Sequence, residues 1–151
     1  MPEESPTELI QRLMPLCATL GVRAQVYRPD EVSLVLDWAP GLCTSGGVLH
    51  GGAVMALADS AAGVCAFLNL PKTAQATATI ESKTNFLTAI RSGTATATSR
   101  PLHVGGRTIV VETEVRSADG KLAAKTIQTQ AVLGAPAPAS ISAGPRPSEI
   151  R

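Results

Sequence analysis

The stretch from His50 to Leu70 constrains the fold most. It carries Ala53, Val54, Met55, Ala56, Leu57, Ala58, Ala61, Ala62, Val64, Cys65, Ala66, Phe67 and Leu68. That is too long for a strand and apolar nearly all round, the signature of a helix buried on most sides. Asn69-Leu70-Pro71 supplies its end. A helix of this kind cannot sit at a surface, so the remaining chain must wrap it. Asp59, Ser60 and Asn69 interrupt the run, and its side chains are too small for a membrane span to be the expectation.

The flanking segments read mainly as strands. Arg23 to Tyr27 and Glu31 to Trp38 are joined by Arg28-Pro29-Asp30, which predicts a hairpin. Ala76 to Phe86, Gly93 to Pro101, Arg107 to Arg116 and Lys121 to Leu133 follow the helix. Ile109, Val111, Thr113 and Val115 alternate onto one face, and Ala118-Asp119-Gly120 is a hairpin turn. Ahead of these, apolar residues between Glu8 and Leu20 recur at helical spacing, with Ser5-Pro6 as a start and Gly21 as a stop. The expected class is α+β, an antiparallel sheet wrapped around one long buried helix. The expected organisation is an N-terminal helical segment over 1–20, a single domain over 21–133 and a flexible Pro/Ala-rich tail over 134–151.

Composition excludes several function classes. Hydrophobic residues make up 44% of the chain but aromatic ones only 3%, so small aliphatic side chains must fill the core. The net charge of +1 is spread along the chain and gives no basic stripe for nucleic acid. Cys17, Cys43 and Cys65 have neither disulfide nor zinc spacing, and with only His50 and His103 no metal site is expected. The opening residues lack a secretory signal pattern, so a cytoplasmic protein is the expectation. There is no G-x-S-x-G, no G-x-x-x-x-G-K and no G-x-G-x-x-G.

Two features carry chemistry. Gly46-Gly47-Val48-Leu49-His50-Gly51-Gly52 leads into the helix. Glycines there let a ligand approach backbone N–H groups that have no intrahelical partner, geometry suited to an oxygen that gains negative charge. The plainer alternative is a tight loop packed on the sheet. Asp59 sits among alanines and leucines, where a carboxylate needs a partner or a task. Its alternatives are a loop cap or an arginine pair. Gly51 and Asp59 are eight residues apart, roughly 12 Å along a helix axis. One chain therefore cannot place both on one reacting atom, whereas two copies with antiparallel helices can, which suggests a site shared across a homodimer.

His50-Gly51-Gly52 followed by Leu57 and Asp59 resembles the H-G-G-x(4)-L-x-[DE] motif of hotdog-fold acyl-CoA thioesterases, the phenylacetate-degradation type in particular. Lys83-Thr84-Asn85-Phe86-Leu87, Leu102 to Arg107, Val110 to Val115 and Gly120 to Ala124 resemble later stretches of the same family, so the likeness covers about residues 20 to 133. The resemblance implies hydrolysis of an acyl-CoA with Asp59 as general base or nucleophile, the Gly51 N–H as oxyanion donor and Thr79 positioning the water, with Thr77 as its fallback. His50 would hold the loop or transfer protons; Gly52 and Thr44 would contact substrate. Thr44 stands where the family often has Asn or Gln. Val104, Gly105, Gly106 and Arg107 would form a coenzyme A-binding turn, with Arg107 on a phosphate. Coenzyme A enters as part of the substrate; no other cofactor is implied. A dimer or a dimer of dimers is. Two rivals remain: a hotdog dehydratase or hydratase using His50 with Asp59, and a non-catalytic acyl-CoA-binding protein. Cys43 and Cys65 read as packing residues, and Lys83, Arg91 and Arg100 as solvated cations.

Overall fold

A computed structural model describes residues 4–134. The tail expected over 134–151 lies outside them except for Gly134. Ser5 caps helix α1 (Pro6–Leu13) in a reciprocal box with Glu8. The single N-terminal helix expected from periodicity is two: α2 (Pro15–Leu20) starts anew after Met14, which leaves helical geometry at φ −124° and ψ 86°. Pro15 causes the break, because its ring disfavours helical geometry in the residue before it. Gly21 ends α2 at φ 74°, a left-handed conformation that suits glycine.

β1 (Arg23–Tyr27) and β2 (Val32–Asp37) form the expected hairpin. Short 3₁₀ turns at Pro40–Leu42 and Ser45–Gly47 lead to the central helix α3 (Gly51–Leu68). β3 (Ala74–Phe86), β4 (Thr94–Val104), β5 (Thr108–Arg116) and β6 (Leu122–Gly134) complete the chain. All six strands form one antiparallel sheet in the order β1-β2-β4-β5-β6-β3. It curls about α3, the architecture the resemblance implies.

The packing explains the composition. Leu57, Ala58, Ala61, Ala62, Cys65 and Ala66 of α3 are fully buried, and so are Ala95, Ala97 and Ala124 on the strands. Alanine on both surfaces lets helix and sheet approach closely, so few aromatics are needed. Ile109, Val111, Thr113 and Val115 are buried at the predicted alternation. One expectation fails: α3 is not enclosed all round. Gly52, Met55, Asp59 and Phe67 form a stripe at helical spacing that stays open on the single chain.

A β-bulge in β3 matters for the site. The register runs Thr79 to Gln130 and then Glu81 to Thr129, leaving Ile80 as the extra residue. Thr79 and Thr84 differ in parity and would lie on opposite faces of a regular strand. The bulge resets the count. Both then meet side chains from one face of β6: Thr84 pairs with Thr126, and Thr79 with Gln130.

Candidate active site

α3 begins at its N-cap, His50, whose Nδ1 accepts a hydrogen bond from Gly52 N–H at 2.8 Å. That bond places the ring proton on Nε2 and ties the imidazole to the loop. His50 and Gly52 face a shallow cleft of about 300 Å³ beside Leu16, Leu20 and Cys43. Gly51 opens the other way. Its N–H, first in the helix, has no acceptor among the described residues. It borders a cavity of about 350 Å³ together with Thr44 and Phe86. A side chain at Gly51 would stand 3.2 Å from Phe86 Cζ, which keeps the approach to that N–H narrow.

Asp59 lies two turns further along α3. Its carboxylate is exposed, not buried among the alanines as its neighbours suggested. Oδ1 accepts a hydrogen bond from Thr79 Oγ1 at 3.4 Å. Thr77 lines the same cavity, but among the described residues it makes no hydrogen bond to Asp59. That cavity, about 410 Å³, runs from Asp59 and Thr79 between α1, α3 and β3, with walls that include Leu13, Met14, Tyr27 and Phe67. Gly51 and Asp59 thus open into different cavities of one chain, as their spacing required.

Two residues here escaped the sequence reading. Gln128 and Gln130 of β6 are 0% and 2% exposed, and their Nε2 groups donate to Thr79 Oγ1 at 3.4 and 2.8 Å. The available signal was alternation: Ala124, Thr126, Gln128, Gln130 and Val132 share the inward face of a closing strand, and two amides there break an otherwise small and apolar pattern.

The remaining candidates lie apart. Val104 to Arg107 form the β4–β5 turn, in which Gly105 N–H donates to Thr108 O at 2.9 Å. A Cβ at Gly105 would stand 2.9 Å from the backbone oxygen of Thr108, which cannot swing aside, so the turn favours glycine. Arg107 is exposed and forms no ion pair among the described residues. Arg100 pairs with Glu31, Arg91 donates to Gly46 O, and Lys83 contacts Asn85. The cysteines behave as packing residues. Burial pushes the Cys65 thiol up to about 11. Burial also raises Cys17, opposed by its hydrogen bond to Ser60 and reinforced by the charge of Asp59.

A long helix wrapped by an antiparallel sheet, with a carboxylate on the helix and an open N–H at its start, defines a hotdog thioesterase architecture. The family model of the Thioesterase superfamily matches residues 46–124, more than half of the 151-residue chain, and the chain belongs to that family. SSO2140 of Saccharolobus solfataricus, provisionally named an esterase, is 41% identical over 88 residues, which are 58% of this chain and 61% of that protein. The chain thus aligns with less than two thirds of that relative's length. Among solved structures, thioesterase HI1161 of Haemophilus influenzae superposes with a TM-score of 0.79 at 23% identity, covering 88% of this chain and 93% of that one. A thioesterase family protein of Silicibacter pomeroyi gives 0.77 at 28% identity, covering 83% and 93%. Thioester hydrolysis is the chemistry for which that family is named.

Proposed function

We propose that the chain is an acyl-CoA thioesterase whose site is completed by a second copy of itself. One observation carries the reading: an accessible carboxylate, Asp59, is held by Thr79 at the mouth of an apolar cavity of about 410 Å³. The acyl group enters that cavity with its thioester carbonyl at Asp59. The carboxylate takes a proton from water as the oxygen of that water attacks the carbonyl carbon. The carbonyl oxygen becomes negative and is received by the Gly51 N–H of the second copy. The tetrahedral intermediate collapses with cleavage of the C–S bond, and the proton held by Asp59 passes to the departing thiolate. Free acid and coenzyme A leave, and the carboxylate is restored. Attack by Asp59 itself, followed by hydrolysis of the anhydride, gives the same products. Coenzyme A would lie at the turn Val104 to Arg107, as the family resemblance implies; Arg107 is exposed and forms no ion pair among the described residues, which supports a phosphate contact there.

The cap role of His50 counts against a dehydratase. Its Nδ1 is occupied by Gly52 N–H, and it faces a different cleft from the cavity that Gly51 borders, so it does not share the reacting side of the loop. The test is thiol release from short, medium, long and aromatic acyl-CoAs by the wild type and Asp59→Asn. Turnover of one acyl class, reduced about 100-fold or more in the variant, is the expected result, since general-base help is worth about 10²–10⁴. Coenzyme A binding without hydrolysis of any thioester would favour the non-catalytic reading instead.

A further inference from the structure

The buried glutamines have no place in the reaction as described, and their geometry assigns them one. Resting on the hydrolase reading above, we propose that Gln130, supported by Gln128, is a positioning residue that directs the single hydroxyl proton of Thr79 onto Asp59.

A threonine hydroxyl has one proton and two lone pairs. Gln130 Nε2 occupies one lone pair at 2.8 Å, and Gln128 Nε2 approaches at 3.4 Å. With its acceptor side filled, Thr79 has its O–H left to give, and Asp59 Oδ1 lies 3.4 Å away to receive it. An ionised carboxylate offers only acceptors, so this contact also fixes the sense of the amide. Turned over, Gln130 would take the threonine proton on Oε1 and leave two oxygens facing each other across the Asp59 contact. The chain Gln130, Thr79, Asp59 therefore runs in one direction. It ties Oδ1 to the sheet and leaves Oδ2, which has no partner among the described residues, to face the water.

The fold is shaped around this chain. The bulge at Ile80 puts Thr79 on the inward face opposite Gln130. Gln128 Oε1 is buried and has no hydrogen-bond partner among the described residues of the single chain, which an aliphatic residue of similar size would avoid. Both glutamines come from β6, the strand paired with β3, and both are buried, with Gln130 lining the inner wall of the cavity that Asp59 and Thr79 share. They act through Thr79.

A double-mutant cycle tests this on a thioester the wild type hydrolyses. Gln130→Met keeps the volume and removes the donor; it should lower kcat about tenfold with KM within about twofold, since the loss is of orientation and not of binding. Thr79→Val should cost at least as much. The double variant should be no slower than Thr79→Val alone, because Gln130 has nothing left to orient. Thr79→Ser should recover most of the loss. A Gln130→Met penalty of equal size in both backgrounds, or none in the wild-type background, would overturn the proposal. If Gln130→Met does not fold, the comparison at Thr79 decides on the exposed edge strand: Thr79→Ser as slow as Thr79→Val refutes it. The contact is also read without turnover, as side-chain amide resonances of Gln130 that must move in Thr79→Val. Resonances that stay put count against the proposal. Moving resonances in a wild type inert toward every thioester would instead sink the hydrolase reading and keep the contact.

Discussion

A buried amide oxygen with no partner is a cost retained for a reason. Leaving such a group unsatisfied destabilises a fold by ~1–3 kcal/mol, and Gln128 Oε1 has no hydrogen-bond partner among the described residues. Sequence optimised for stability alone would place an aliphatic side chain beneath Thr79. Gln128→Leu should therefore unfold at a denaturant midpoint equal to or above that of the wild type, while thioester turnover falls. Urea titration followed by far-UV circular dichroism measures the first, and thiol release the second. A midpoint clearly below the wild type would mean that Gln128 stabilises the core. The residue scale is also where the sequence misled. Asp59 was legible as the candidate carboxylate because a lone acid stands out among alanines, but its burial was inferred from those same alanines. Alanine signals close approach on one side of a helix and is indifferent on the other, so it does not report which face a neighbouring residue takes. Thr79 was legible through the family motif alone. Alternation marks Gln130 as an inward-facing amide, but its pairing with Thr79 was hidden because alternation does not reveal the bulge in β3 that brings Thr79 opposite it.

At the scale of elements, α3 was the most legible feature, since its length and hydrophobicity admit no other structure. Its ends fell within two residues of the expected His50 and Leu70. The β1–β2 and β5–β6 hairpins followed from turn chemistry. The two-helix N-terminus did not follow from periodicity, because the apolar spacing runs through Pro15 while the backbone cannot. Packing of α3 against the sheet also has a titration consequence. Burial raises the Cys65 thiol from 9.0 to about 11 in the folded chain. A raised value means that the folded state holds the proton more tightly, so the associated stability is complete below pH 9 and is lost as pH rises through about 11. One such group amounts to at most ~3 kcal/mol, from ~1.4 kcal/mol per pKa unit. Cys65→Ala should flatten the decline in unfolding free energy between pH 9 and pH 11 relative to the wild type. Parallel curves for the two proteins would show that the alkaline loss comes from other groups.

The whole molecule poses the question of where its site is completed. On one chain the Gly51 N–H and the Asp59 carboxylate open into separate cavities of about 350 and 410 Å³. The stripe of α3 that carries Asp59 is open to solvent, as is the long edge strand β3, with Ile80 64% and Phe86 54% exposed. An open edge of 13 residues with two large apolar side chains exposed is a surface on which a second copy can pair, although Lys83 and the bulge at Ile80 blunt part of it. A site split between two copies makes a prediction that a site within one chain cannot. Gly51→Pro removes the N–H at the first helical position, where proline is tolerated, and His50 is already extended at φ −60° and ψ 135°, as the residue before a proline prefers. Asp59→Asn removes the carboxylate proposed above to act on the thioester. Each variant alone should be inactive. Unfolded together in equal amounts and refolded, half of the dimers should be mixed, and each mixed dimer regains one intact site from Gly51 of one copy and Asp59 of the other. Recovery of about a quarter of wild-type turnover is expected from that two-fold arithmetic. No recovery, in a mixture shown by differential tagging to contain mixed dimers, would place both groups of each site on a single chain and end the shared-site account.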